Sequence, residues 1–348
     1  MPRRIRSLDA MRALAVLFML EVHLGFWWAR ELPAGNALVD IGTVLGGMAA
    51  PVFLVLAGVG LSLSRGSEIG GFVARSLKRG AALMAAGVAF TFVERAVYGP
   101  LGWGVLQCIG ASLVICALAM RAPPAVRAVA GIALMVAAPI LRFWQGIPGV
   151  LFSDQLMAAG SAQEYFQSML LSGFFPLIPW VGFMLLGTSA GDWLLPSGPG
   201  ARPDRRAHIL LTLFLFVAGT ASLARGTAPE FFPPSLTFSL LSSGVCLLAL
   251  PAFLAWDSAR WEFLSPLGRI SLTVFIVHHL IGYEAFRAAG LLHSFEVGQA
   301  LGLVVLTWAL ALLAARAWAG RGFRLSLEWV LARLERPPSE QNKYSPAE

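Results

Sequence analysis

The sequence predicts an all-α fold: a polytopic integral membrane protein of about ten transmembrane helices. Composition is the first reason. Of the 348 residues, 57% are hydrophobic and only 13% are charged, against about 25% charged in an average soluble domain. Recurrence is the second. Apolar stretches of about 20 residues, long enough to cross a bilayer as helices, follow one another along the whole length. The third is where the positive charges fall between those stretches. Lipid offers the backbone no hydrogen-bond partners, so each crossing stretch has to be helical.

The spans fall near residues 8–28, 37–63, 72–93, 103–120, 127–142, 168–190, 207–224, 236–256, 269–288 and 297–317, those at 103–120 and 127–142 being short. With the N-terminus in the cytoplasm, 20 of the 26 basic residues lie on the inner side. Arg30, Arg95, Arg142, Arg225 and Arg287 lie outside, and Arg12 lies within the first span. Inner loops carry the Lys/Arg excess in membrane proteins. Both termini are therefore expected in the cytoplasm. The net charge of +7 reads as orientation and contact with anionic lipid, not as nucleic-acid binding, for which no motif is present. The first apolar run contains Arg12, Glu21 and His23 and lacks a small-residue cleavage site, so it does not read as a cleavable signal peptide. Cys108, Cys116 and Cys246 lie in spans, lack metal-type spacing and read as packing residues.

Two domains are expected: a transmembrane domain over 1–320, then a cytoplasmic segment over 321–348. In the latter, 321–335 has the pattern of an amphipathic helix on the inner membrane surface, and the tail from Arg336 is polar. The longest outer loop, about 143–167, mixes aromatic and polar residues, while 191–206 is rich in Pro and Gly and reads as a cytoplasmic linker.

Four constellations could carry chemistry. The first is Asp9, Arg12 and His23. Eleven steps from Arg12 to His23 make about 1100° of helical rotation, so the two share a face about 16 Å apart along the axis. Asp9 stands three residues before Arg12, on that face. Ionisable groups inside a span are costly and usually mark a functional pathway. His23 reads as a general base, and Arg12 as a phosphate ligand or a partner of Asp9. A structural polar seam is the competing reading. Glu21 points to the opposite face.

The second is Arg75, Lys78 and Arg79 at the inner mouth of the third span. Cations there can grip a nucleotide's phosphates or simply anchor the inner end. The third is Ser271 to His279 on the ninth span, with His278 about 15 Å from the inner end. Adjacent histidines are expected to face apart, so His278 and His279 should not line one narrow cavity. Without a carboxylate or cysteine nearby they make a weak metal signal, and no metal is expected. Glu284 is off the face of His278, and His208 and His293 lie at span ends. The fourth is Phe174-Phe175-Pro176-Leu177-Ile178-Pro179-Trp180 leading into Gly182 and Gly187. It reads as a broken helix start beside protein or a cavity, with glycines for close helix approach.

At these residues the chain resembles the heparan-α-glucosaminide N-acetyltransferase family. The resemblance rests on Arg6-Ser-Leu-Asp9-Ala-Met-Arg12, Ala50-Pro51-Val-Phe53 to Gly58, Gly104-Val-Leu-Gln107-Cys-Ile-Gly110 and Phe175-Pro176-Leu-Ile-Pro179-Trp180-Val-Gly182, in order over about two thirds of the chain. Leu267 to His278 is similar to a motif of the wider transmembrane acyltransferase superfamily. The Arg12-to-His23 spacing looks like its acyltransferase-3 branch, and Arg75 and Lys78 stand where that branch has paired arginines. Leu327-Glu328-Trp329 to Arg333 is similar to a related group of multispan proteins.

The resemblance implies an acyl-CoA donor, acetyl-CoA above all, on the cytoplasmic side, and transfer to a sugar of an extracytoplasmic glycan or glycolipid. Arg75, Lys78 and Arg79 would hold the CoA phosphates, His23 would act at the acyl group, and Asp9 and Arg12 would position the donor. His278, Gln107 and Trp180 would support the site. The partners implied are acyl-CoA, the acceptor glycan and membrane lipid, with a homodimer open. The family pattern departs here in one respect. It carries asparagine at the His23 position and its functional histidine in the following loop, whereas Leu24 to Thr43 contains no histidine. Either His23 is the catalytic histidine, or the mechanism differs, or activity is lost. A multispan transporter is the alternative class, although neither inverted repeats nor paired broken helices are visible.

Overall fold

The computed structural model describes residues 5–33, 35–65, 69–93, 102–147, 161–196, 202–256 and 259–334. Their regular structure is helical, apart from one isolated parallel bridge between Ala29 and Phe295. The helices are α1 Arg6–Trp28, α2 Ala37–Gly47, α3 Ala49–Ser64, α4 Ile69–Val93, α5 Val105–Ala119, α6 Pro124–Trp144, α7 Ala162–Gln167, α8 Leu177–Leu194, α9 Arg205–Ala224 and α10 Leu236–Ala255. Three short ones follow, α11 Ser265–Gly268, α12 Ser271–His278 and α13 Phe286–Ala288, then α14 Val297–Ala319 and α15 Leu327–Leu334. Two π-helical segments, Ser168–Ser172 and His279–Ala285, adjoin α7 and α12.

Local chemistry sets several of these boundaries. The Asn36 side chain accepts from the Leu38 and Val39 amides at the start of α2 (3.1 and 3.5 Å), and that of Asp204 from the Ala207 amide at the start of α9 (3.0 Å). Such caps satisfy amides that the helix cannot. Pro124 begins α6, where its missing N–H costs nothing.

Among the described residues, six helical stretches are long and apolar enough to cross a membrane: α1, the α2–α3 pair over Ala37–Ser64, α6, α9, α10 and α14. A seventh is possible if Ala162–Ser172 and Leu177–Leu194, bent by 40°, form one broken span. The protein is thus all-α and polytopic, but the expected count of about ten is not confirmed. The other three expected spans are helical and depart from a simple crossing for separate reasons. α4 carries Arg75, Lys78 and Arg79 in its first half. α5 has 15 residues, about 22 Å of helix against a hydrocarbon core of about 30 Å. The 269–288 stretch is divided among α12, a π segment and α13.

Packing divides the chain into two compact units, Met1–Val52 with Ala252–Glu348, and Phe53–Pro251. In the first, α1 is the hub and packs against α2, α11, α12 and α14. Gly268 shows how closely: a Cβ there would fall on the main-chain carbonyl of Asp9. The Trp308 indole of α14 donates to the Leu17 carbonyl (2.9 Å), and that of Trp28 to the Gly282 carbonyl (2.8 Å). α1 is therefore tied near both ends to the segment that runs from α11 through the π helix.

In the second unit α6 packs on α8 and α4 on α5. α3 meets α8 backbone to backbone, since a Cβ on Gly58 would strike the Met184 carbonyl and one on Gly187 the Val55 carbonyl. The broken start of α8 appears as expected. Ile178 is non-helical (φ −105°, ψ 109°), and Trp180, with no exposed surface, packs among Phe175, Phe183 and Phe231.

Several expectations need correction. The segment 191–206 is not all linker: α8 continues to Leu194, and Asp192 sits inside the helix with Trp193 buried beside it. Arg127 and Arg142, the end residues of the expected 127–142 span and counted there as inner and outer charges, are buried residues of α6. The guanidinium of Arg142 donates to the Pro234 carbonyl (2.7 Å), and Arg127 is ion-paired with Asp192. The C-terminal amphipathic helix is shorter than 321–335. Phe323 and Leu325 take positive φ (54° and 71°), a region disfavoured for side chains with a Cβ, and the helix starts only at Leu327. Of the 143–167 loop, residues 148–160 lie outside the described residues, as does the tail from 336.

Candidate functional site

α1 is one continuous helix, so Asp9, Arg12 and His23 share a face as their spacing predicts. Asp9 is buried and accepts from the Arg12 guanidinium across 3.1 Å. His23 is half-buried near the far end. There it meets a residue 255 positions away: its Nδ1 lies 2.9 Å from Nε2 of His278 on α12. The rings are almost parallel, with an interplanar angle of 3°. Trp27 stacks on both rings, and Phe275 lies edge-on to His278.

The hydrogen bonds assign the tautomers. Nδ1 of His278 lies 3.1 Å from the Val274 carbonyl. A carbonyl oxygen only accepts, so that Nδ1 carries the proton. In neutral His278, Nε2 then holds a lone pair and accepts from Nδ1–H of His23. Neutral His23 is left with a lone pair on Nε2. A backbone carbonyl, an orienting imidazole and a basic imidazole follow one another in line. That is the order by which an enzyme holds a general base in its reactive tautomer.

His279 joins the pair, and here the expectation of diverging histidines fails. Its ring centroid is 4.3 Å from that of His278 and 5.4 Å from that of His23. Adjacent side chains on a helix do point about 100° apart, but His23 approaches between the two and meets both. The change from α-helix to π-helix falls at this point, between His278 and His279.

Nitrogens of His23, His278 and His279 lie within 4.8 Å of one another, and the group contains no carboxylate or cysteine. Three imidazoles can hold a transition metal. A metal on these lone pairs would break the 2.9 Å bond between His23 and His278, so relay and metal site are exclusive states of the same residues.

The remaining expected site residues belong to the other compact unit. Arg75, Lys78 and Arg79 are exposed on α4, and Arg75 and Lys78 make no ion pair with a described residue. Gln107 is engaged with backbone at the start of α5: its side chain accepts from the Gly104 amide and donates to the Gly102 carbonyl, each at 3.2 Å. Trp180 lies in the aromatic cluster of α8.

One polar group, that of Asp192, was not read from the sequence, and Glu21 was read only as facing away from Arg12. In the second unit Asp192 accepts from Ser62 and from Arg127, with Arg65 3.6 Å away. Arg127 is 1% exposed. This is a buried ion pair in which one terminal nitrogen of Arg127 meets Asp192 and the other the Met120 sulfur. In the first unit, Oε2 of Glu21 is buried without a hydrogen-bond partner among the described residues, and its carboxylate fills the space above Gly42.

Apolar helices of crossing length, buried polar groups within them and an oriented histidine pair together define a polytopic α-helical membrane protein with a chemically equipped interior. Residues 4–225 match the family model of the heparan-alpha-glucosaminide N-acetyltransferase catalytic domain. The match covers more than half of the chain, which therefore belongs to that family. A membrane acetyltransferase-like function comes with the membership. Residues 206–334 match a second family model, a protein of unknown function (DUF418). His23 falls in the first match, His278 and His279 in the second. No curated protein matches the chain.

Proposed function

We propose that the protein is an acyl-CoA-dependent acetyltransferase that moves an acetyl group to a sugar of an extracytoplasmic glycan or glycolipid, with His23 as general base. The observation that carries this reading is the bond between His23 and His278, anchored on the Val274 carbonyl. Nε2 of His23 takes the proton from an acceptor amine or hydroxyl as that atom attacks the thioester carbonyl. The carbon–sulfur bond breaks, and the imidazolium returns the proton to the departing thiolate. Asp9 and Arg12 hold the cytoplasmic end of α1, the end from which the donor comes. Arg75, Lys78 and Arg79 are the proposed contacts of the donor's phosphates, by charge-assisted hydrogen bonds. Both termini are proposed to be cytoplasmic and the membrane to be an inner membrane.

The test uses purified protein in detergent with radiolabelled acetyl-CoA and a glucosamine-terminated glycoside as acceptor probe, a choice guided by the family's name. Label appearing on the probe, and lost in His23→Ala, is the expected result. A wild type that binds no acetyl-CoA and labels no sugar overturns the reading. Label trapped on His23 itself, and released by mild acid as from an acyl imidazole, would replace the general base by an acetyl-histidine intermediate.

A further inference from the structure

α12, the helix that presents His278, starts without a cap of its own. Ile270 occupies its N-cap position and offers no side-chain acceptor. The missing acceptor comes from Glu328, in the first turn of α15, more than fifty residues further along the chain. Oε1 of Glu328 accepts from the Leu272 amide at 2.6 Å and lies 3.3 Å from the Thr273 amide, while Oε2 accepts from the Thr273 hydroxyl at 2.6 Å. The contact is reciprocal, because the Thr273 hydroxyl accepts from the Leu327 amide at 2.9 Å. The two helix starts thus satisfy one another. A carboxylate at a helix N-terminus meets both the unpaired amides and the positive end of the macrodipole.

We propose that Glu328 is a positioning residue for the histidine relay, acting through α12. The claim rests on the reading of His23 as the base. α12 has eight residues and ends at His278, so a turn of its first residues turns the imidazole at its end. The carbonyl that fixes the His278 tautomer, Val274, belongs to the same short helix and directly follows Thr273. Two other contacts hold the surrounding segment, Gly268 against Asp9 before α12 and Trp28 on Gly282 after it. Glu328 reaches the first turn of α12 itself. The C-terminal amphipathic helix is thereby a working part of the catalytic unit, and not only an anchor to the membrane surface.

The test compares wild type, Glu328→Ala and Glu328→Gln as full-length protein in detergent. Hydrogen exchange of the 271–278 peptide reads the cap directly, whether or not the protein turns over. Exchange is expected to rise in the alanine variant and to rise less in the glutamine variant, whose carbonyl still accepts. With acetyl-CoA and the glucosaminide probe, kcat should fall about tenfold in Glu328→Ala, the loss of one cap expressed as a rate. The KM for acetyl-CoA should stay unchanged, and glutamine should restore most of kcat. Faster exchange with wild-type kcat and pH profile would overturn the positioning role and leave the base intact. Unchanged exchange would remove the cap itself. An inactive wild type with the expected exchange pattern would fault the reading of the base instead.

Discussion

Two of the polar clusters among the described residues, one in each compact unit, are built on opposite principles. The Asp192 cluster is charged: the carboxylate meets Ser62 and Arg127, with Arg65 3.6 Å away. In the His23 cluster, the hydrogen bonds from the Val274 carbonyl through His278 to His23 involve no carboxylate or guanidinium. They form a line that ends on an unused lone pair. A buried ion pair satisfies its own members and mainly fixes a packing arrangement. An oriented chain of neutral donors and acceptors leaves something over for a substrate. On the proposed function, the difference separates polar groups that hold the fold from polar groups that do chemistry.

Mutation sharpens the contrast. The largest effect is expected at His23. His23→Ala should lower acetyl transfer by about 10³-fold, the middle of the range for a general base, while the melting temperature in detergent stays within a few degrees. Asp192→Ala should do the reverse. It strands Arg127, 1% exposed, and should cost about 3–5 kcal/mol of stability, read as lost monodisperse protein on size exclusion, with normal kcat in whatever folds. If Asp192→Ala were fully stable but inactive, the division of labour between the clusters would be reversed.

Smaller effects probe how each cluster is held. Gly268→Ala drives a methyl group onto the Asp9 carbonyl; overpacking of this kind should cost about 1–3 kcal/mol, measurable by thermal unfolding. Replacing Arg75 and Lys78 together by alanine should raise the KM for acetyl-CoA about tenfold with kcat unchanged, an effect that high salt should reduce because exposed charges are screened. The smallest expected effect is none: prolonged chelation should leave the rate as it was. A rate lost to chelation and restored by zinc would turn the three imidazoles from a relay into a metal site.

What the sequence revealed follows from the range over which its signals act. The shared face of Asp9, Arg12 and His23 is a matter of helical periodicity, and the structure reproduces it in one continuous helix with the Asp9–Arg12 pair formed. The broken start of α8 was legible from Pro176 and Pro179, because proline restricts its own backbone and its neighbour's. Long-range pairings were not legible. His278 meets His23 across 255 positions, Asp192 meets Arg127 across 65, and Glu328 reaches α12 across more than fifty. Periodicity within one helix carries no information about which face of another helix lies opposite. The role of Arg127 was missed for the same reason: in sequence it is one more basic residue at the inner end of a span, and only its partner Asp192 marks it as half of a buried ion pair. Glu328 stood in plain view, but as an acidic residue on an amphipathic helix it looked like part of a solvated face.

The central claim, that the hydrogen bond with His278 leaves Nε2 of His23 as the base, is tested most directly by nitrogen-15 NMR of histidine-labelled protein in detergent, with His278→Ala as the control. The account predicts neutral His23 protonated on Nδ1 in the wild type, a tautomer that becomes mixed in the variant as acetyl transfer falls. A wild type in which His23 carries its proton on Nε2, with transfer to the glucosaminide intact, would contradict it.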